Sequence, residues 1–307
     1  MMLEVLQSGP LSLLQDKGRF GYQNQGVTTG GPMDEHAYGW GNWLLGNDLN
    51  STQIEVTLGM ASFRFHATTY FALTGADLGA SLNGKPLSSW FSYHAVEGDE
   101  LRFTRPVSGM RAYLSVHGGF RVSPMLGSSS TVCREGIGGL NGDGKRLEAG
   151  DNIPFSLSDS RINTKVPNWA IPDYDSPLEI GIILGSQQAL FSEDAKKTLF
   201  SSFFTISQHS DRMGFRLEGQ PIIAERYDVI SEGIGFGAVQ IPPDGQPIVL
   251  MKDRQTIGGY PKVGTLSALG ASRLSQSRPG SEIKFTPLSV SHAEAELRLF
   301  QEVIYRR

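Results

Sequence analysis

Ser207-Gln208-His209-Ser210-Asp211-Arg212-Met213-Gly214 opens a segment, running to Lys262, in which reactive polar side chains alternate with residues that fix backbone turns. Further along it lie Pro242-Pro243-Asp244-Gly245-Gln246-Pro247 and Asp253-Arg254-Gln255-Thr256-Ile257-Gly258-Gly259-Tyr260-Pro261. Two apolar runs separate these clusters, Val229-Ile230 and Ile248-Val249-Leu250-Met251; their length and flanking turn residues predict short buried strands. Polar groups at strand ends are held more rigidly than groups on long loops, so this segment is the expected functional centre.

Outward from it, Leu178 to Leu184 reads as a strand, and Ser192-Glu193-Asp194 as the start of a short helix. Ser291 with Glu294 three residues on has the capping-box pattern, predicting a closing helix with Leu297, Phe300 and Ile304 facing inward. Residues 161–176 lose periodicity and contain Pro167 and Pro172, which predicts a linker between a domain at 1–160 and another at 177–307. A chain of 307 residues suits two cores, since single cores rarely grow past roughly 250 to 300 residues.

The first half reads as short strands between Gly, Asp and Asn turns, as in a small barrel or sandwich: Leu3–Leu6, Ser62–Phe65, Tyr70–Leu73, Leu101–Phe103 and Ala112–Val116. Dense glycine from Leu11 to Asp34 predicts loops that display Gln15, Asp16, Arg19 and Tyr22, with Asp16 and Arg19 either contacting a ligand or tying a surface loop together. Asp34 is a plausible N-cap for a helix carrying Ala37, Trp40, Trp43 and Leu44 on one face. An internal echo supports tandem related units. Leu78–Leu87 can be laid over Met213–Ile222, and Gly98–Phe103 over Gly280–Phe285, with Gly150–Phe155 sharing part of the second pattern.

Several function classes fall away. A net charge of −4 with no basic run disfavours nucleic acid and anionic membranes as partners. One cysteine, Cys133, read as a structural thiol, together with a start lacking a signal-peptide pattern and apolar runs too short for a bilayer, predicts a cytoplasmic chain. The six histidines form no ligand pair, so no metal is expected. Gly139–Arg146 nearly spells a phosphate loop, but Arg146 replaces the magnesium-binding hydroxyl residue. Gly233–Ala238 resembles a dinucleotide fingerprint, yet Pro242-Pro243 leaves no room for its helix. Met251-Lys252 lacks the flanks of a biotinyl hairpin, leaving Lys252 as a solvated charge.

The runs Gln208–Gly219 and Pro242–Pro261 resemble the biotin-dependent carboxyltransferase-like family. So do Gly9-Pro10-Leu11-Ser12-Leu13-Leu14-Gln15-Asp16, Gly18-Arg19, Gly21-Tyr22, Pro32-Met33-Asp34, Thr74-Gly75-Ala76-Asp77 and Leu126-Gly127-Ser128. The matches keep their order across essentially the whole chain. That family takes in the C subunit of 5-oxoprolinase, the Kip-type antagonist and the carboxyltransferase domain of urea carboxylase, also labelled allophanate hydrolase subunit 2. The resemblance implies a mainly β chain of two tandem cyclophilin-like β-barrel domains with a few short helices, and an active cleft between them and against a partner subunit. It implies an ATP-dependent complex with the A subunit of 5-oxoprolinase and a Kip-type B subunit, similar to allophanate hydrolase subunit 1, that opens 5-oxoproline, a small anionic substrate, to L-glutamate. ATP is used by that complex and no cofactor is bound covalently. Two other roles are implied by relatives: biotin-dependent carboxyl transfer to a urea-like substrate, and non-catalytic binding of a kinase-inhibitor partner.

On this reading Arg212 and Arg254 hold anions with five-donor forks, Asp211 and Asp244 orient an arginine or serve as general bases, and Gln255 joins them in catalysis. Thr256 and Tyr260 donate hydrogen bonds to a carbonyl or phosphate oxygen, while Gly258-Gly259 let backbone amides come close. Gln15, Asp16, Arg19, Asp34, Ser210 and Gln246 complete the expected substrate contacts. Plain structural readings stand beside these: Asp211 beside Arg212 as a turn ion pair, and Pro242 to Gln246 as a hairpin loop with Asp-Gly at its tip.

Overall fold

In the strand Met2–Ser8, Leu3 and Val5 are fully buried while Met2 and Glu4 are not, the two-residue period of a strand with one face on a core. The computed structural model describes residues 1–156 and 162–305. The chain forms two compact units. The first holds Met1–Phe20, Gly30–Asp175 and the chain's last residues from Ile304; the second holds Gly21–Thr29 and Ser176–Val303. Leu157 to Ser160 of the expected first domain, and Arg161 at the start of the expected linker, lie outside the described residues, as do the last two residues of the expected second domain. The rest of the expected linker up to Asp175 is counted with the first unit. Val166 is fully buried, and Asn163 and Val166 donate backbone hydrogen bonds to Leu44 and Trp90.

The first unit has two antiparallel sheets. One runs Asn152–Pro154, Met2–Ser8, Ala61–Phe65, Glu100–Arg102, Ser81–Leu82, Lys85–Pro86; the other Leu11–Gln15, Gln53–Thr57, Ser108–Val116, Thr69–Asp77, Phe91–Ala95. Phe63, Phe65 and Leu101 from the first and Phe71, Leu114 and Val116 from the second share one core. Helix α1 (Glu35–Leu44) begins as predicted, with the Asp34 carboxylate accepting from the Ala37 N–H at 3.0 Å. Gly41 lets it lie close to the sheet, because a Cβ there would stand 2.6 Å from Ser115 Oγ.

Gln15, Asp16 and Arg19 are not displayed from loops: they are 0, 4 and 1 % exposed. Leu11–Gln15 is a paired strand, and the serine-rich stretch 128–131 closes over the turn that succeeds it. The Asp16 carboxylate accepts from Ser129 N (2.8 Å), Ser130 Oγ (2.7 Å), Gly18 N (2.9 Å) and Ser128 Oγ. Arg19 Nη2 donates to Ser130 O at 2.7 Å, and Gln15 Nε2 to Thr131 O at 3.0 Å. The expectation of substrate contacts by these three is corrected accordingly: all three are buried and bonded into the turn. Cys133, expected as a structural thiol, is exposed.

The second unit is a closed seven-stranded barrel in the order Leu178–Leu184, Lys262–Leu266, Ala238–Gln240, Ile248–Leu250, Gly214–Gly219, Phe203–Ile206, Glu282–Pro287. An odd ring cannot alternate direction all the way round, and the single parallel seam falls between Leu178–Leu184 and Glu282–Pro287. Helices α2 (Glu193–Ser201), α3 (Ala268–Leu274) and α4 (Val290–Tyr305) belong to this half of the sequence; α2 is the short helix expected near Ser192, and Ser192 caps it. The α4 cap is Ser289, whose Oγ accepts from His292 N at 3.2 Å, so the Ser291 capping box is displaced by two residues. Ile304 is buried as expected, while Leu297 and Phe300 are only half-buried. Val229-Ile230 is no buried strand, since Ile230 is 91 % exposed; neither residue pairs in a sheet.

The two echoes fare differently. Gly98, Gly150 and Gly280 all precede strands at φ of +94°, +94° and +86°, the shared turn that the sequence suggested. Leu78–Leu87 and Met213–Ile222 differ. Asn83-Gly84, both at positive φ, fold the former into a hairpin, whereas the latter contains one continuous strand, Gly214–Gly219. Among the described residues no helix is long and apolar enough to cross a membrane.

Two tests arise from the buried polar groups of the first unit. Asp16→Asn removes the charge on which four donors converge and is expected to cost about 2–4 kcal/mol; a denaturation midpoint equal to wild type would refute that role. His36, on α1, accepts from Trp40 Nε1 at 3.1 Å, and burial pushes its pKa from 6.5 down to about 4. The unfolded chain therefore binds a proton that the folded chain refuses between those values. Stability is expected to fall as pH drops through that window, by up to roughly 3 kcal/mol. His36→Gln should flatten this part of the stability curve in urea melts.

Candidate functional site

The sequence Ser207–Gly214 turns tightly because its short polar side chains bond their own backbone. Ser210 Oγ accepts from Arg216 N at 3.0 Å, and Asp211 Oδ1 accepts from Met213 N at 2.8 Å and Gly214 N at 3.2 Å. Asp211 thus forms an Asx turn and not the expected ion pair with its neighbour. Arg212 instead turns inward: Nε and Nη2 donate to the two carboxylate oxygens of Asp253 at 2.8 and 2.9 Å, and both side chains are buried. The backbone follows the same line, with Asp253 N donating to Arg212 O and Met251 N to Met213 O.

That fork joins the two polar clusters, and beside it lies a cavity of about 230 Å³ whose lining residues all belong to the second unit. His209, Asp211 and Arg216 enter from the turn and the strand after it; Met213, Ile248 and Leu250 supply an apolar wall. Arg254, Gln255 and Tyr260 come from the loop after Ile248–Leu250, and Gln240 from the end of Ala238–Gln240. The half-buried Arg254 guanidinium is fixed by two carbonyls, Nε donating to Ile234 O at 3.0 Å and Nη1 to Met251 O at 3.1 Å. Thr28, from the Gly21–Thr29 segment, donates to the Arg254 carbonyl at 3.0 Å. With two arginines against one aspartate, the lining favours an anionic ligand that also carries apolar surface.

Of the expected catalytic residues, Asp211, Arg254 and Gln255 meet at this cavity. Arg212 does not serve as an anion holder, because Asp253 occupies its fork. Asp244 sits in the Pro242–Gln246 turn and accepts from Gln246 N at 3.0 Å, the hairpin-loop reading. Gln246 pairs through its side-chain amide with both the N–H and the C=O of Gly219. Ser210 closes its own turn. Asp34 is a helix cap that also accepts from Tyr174 at 3.0 Å. Of the expected binding residues only Tyr260 is in the lining; Gly258 borders Gln240 and Gln255, Gly259 borders Ser231, and the Thr256 carbonyl accepts from Ile234 N. Lys252 is not solvated but 4 % exposed, its Nζ 4.0 Å from the centre of the Phe236 ring. Sequence reasoning missed Gln240, Arg216 and Asp253. Strand alternation places Gln240 and Arg216 only once the barrel's register is known, and Asp253 is recognised only by the arginine it meets.

Arg212→Ala is expected to destabilise the second unit by about 3–5 kcal/mol, since it strands a buried carboxylate, whereas Arg254→Ala should leave the melting temperature near wild type. Equal loss in both variants would show that the fork is not what sets this turn.

The carboxyltransferase domain family, subdomains A and B, matches residues 25–287. The chain is 36 % identical to the 5-oxoprolinase C subunit of Haemophilus influenzae, covering 98 % of this chain and 96 % of that protein. It is 34 % identical to the 5-oxoprolinase C subunit of Escherichia coli, covering 99 and 98 %. The crystal structure of Kluyveromyces lactis urea carboxylase superposes with a TM-score of 0.93 at 27 % identity, over 99 % of this chain but only 29 % of that much longer one. A match over most of its length, joined to end-to-end identity above 30 %, makes this chain a member of the carboxyltransferase domain (subdomain A and B) family.

Proposed function

We propose that the chain is the C subunit of an ATP-dependent 5-oxoprolinase complex, acting with the A and B subunits to open the 5-oxoproline lactam to L-glutamate. The observation that carries this reading is end-to-end correspondence with proteins named for that subunit. Of the urea enzyme, by contrast, this chain covers only 29 %. A lactam is a poor electrophile because its nitrogen lone pair delocalises into the carbonyl. Transfer of a phosphoryl group from ATP to the ring carbonyl oxygen makes the ring carbon more electrophilic. Water then adds to that carbon, the C–N bond breaks as the nitrogen takes a proton and becomes the free amine, and hydrolysis of the resulting acyl phosphate releases phosphate and leaves glutamate.

The cavity supplies groups suited to part of this work. Arg254 and Arg216 attract the ring carboxylate and the phosphate charge. Asp211 keeps one carboxylate oxygen in its turn and can take a proton from water with the other, with His209 beside it as a second proton carrier. Met213, Ile248 and Leu250 face the ring methylenes. The close superposition on urea carboxylase favours a second reading, transfer of a carboxyl group from biotin carried on another chain. Lys252 is itself too buried to carry a swinging biotin.

Reconstitution with the A and B subunits of 5-oxoprolinase separates the readings. Glutamate release from 5-oxoproline and ATP is expected, and Arg254→Ala is expected to lower kcat/KM by about a hundredfold. No glutamate from the complete assembly, together with avidin-sensitive carboxylation of urea, would replace the first reading with the second.

A further inference from the structure

Gln240 is only 2 % exposed, yet it lines the cavity, and its side-chain nitrogen is buried without an acceptor among the described residues. A buried amide donor left unpaired costs about 1–3 kcal/mol. Such a group in a pocket wall points to a ligand that completes it. Position 258 adds a second observation. A Cβ built on Gly258 would lie 2.8 Å from Gln240 Nε2 and 3.3 Å from Gln255 Nε2. Both amide nitrogens therefore approach one point beside the Gly258 backbone, where Ile234 Cδ1, at 2.5 Å from the same Cβ position, also packs. Its φ is not in the left-handed region, so glycine is not required there by the backbone. Two neutral N–H donors match a carbonyl oxygen. A carboxylate would lose more hydration than uncharged amides restore and is better served by the arginines.

We propose that the side-chain amides of Gln240 and Gln255, which both line the cavity, form the seat for the carbonyl oxygen of an amide-type ligand, and that Gln240 determines the selection of ligands carrying that carbonyl. The identification of the ligand as a lactam rests on the 5-oxoprolinase reading. The seat itself would also take the carbonyl of a urea. It gives the site two ends, arginines for the carboxylate and paired amides for the ring oxygen.

The test follows the Gln240 side-chain amide signal of the full chain by NMR, assigned through its loss in Gln240→Met. The probes are 5-oxoproline, urea and L-proline, the last keeping the ring and carboxylate but lacking the ring carbonyl. 5-Oxoproline is expected to shift the signal and L-proline to leave it in place. Gln240→Glu, which removes the donor at nearly constant volume, and Gly258→Ala, whose methyl would press on Ile234 and displace the Gln240 amide, are each expected to weaken 5-oxoproline binding about tenfold or more, close to 1.4 kcal/mol. The melting temperature of each variant checks that the fold is retained. A shift with urea alone keeps the seat and removes 5-oxoproline as its ligand. The seat is overturned if L-proline moves the signal equally, if none of the three probes moves it, or if a folded variant binds as wild type.

Discussion

Two charge-assisted hydrogen bonds, from Arg212 to Asp253, hold together the parts of the second unit from which its cavity is made. The pair is buried, so its mutual attraction is offset by the cost of removing both charges from water, and its net contribution to stability is small. Its geometric consequence is larger. A fork meeting a carboxylate fixes distance, plane and direction at once, and here it ties the turn before Gly214–Gly219 to the loop after Ile248–Leu250. His209 and Asp211 are placed by the first of these segments, Arg254 and Gln255 by the second.

The cavity accordingly divides its labour between rigid and exposed parts. Gln240, Ile248 and Leu250 are set by the hydrogen-bonded ring of the barrel and cannot move without breaking it. Gln255 and Tyr260 lie on exposed backbone beyond the ring, where a ligand or a partner chain has access. Arg254 stands between the two regimes, half-buried, with two carbonyls orienting its guanidinium. The two arginines are thus placed differently: Arg212 is bonded to Asp253, whereas Arg254 lines the cavity.

The first unit applies the same chemistry to a different end. Asp16 gathers four donors and Arg19 reaches backbone carbonyls, so that a glycine-rich turn becomes a buried fixed point. Its residues have the appearance of a site in the sequence because polar groups beside glycines serve structure and binding alike. Only the presence or absence of an internal partner separates the two.

The residues alone were enough for much of what depends on local periodicity and turn chemistry, though not for Val229-Ile230 or the cap of α4. Leu178 to Leu184 as a strand, Asp34 as a helix cap, a short helix near Ser192, the glycine turns at 98, 150 and 280, and the segment from Ser207 to Lys262 as the seat of the polar cavity all derive from neighbours within a few positions. What required the fold was the destination of each polar side chain. Arg212 meets a carboxylate 41 positions away, Asp16 meets serines more than a hundred positions away, and the Gln240 side-chain nitrogen has no acceptor among the described residues. The physical reason is that a hydrogen bond is satisfied by whichever group the barrel brings within about 3 Å, and closure of a ring pairs strands by register in space, a property no local stretch of sequence contains.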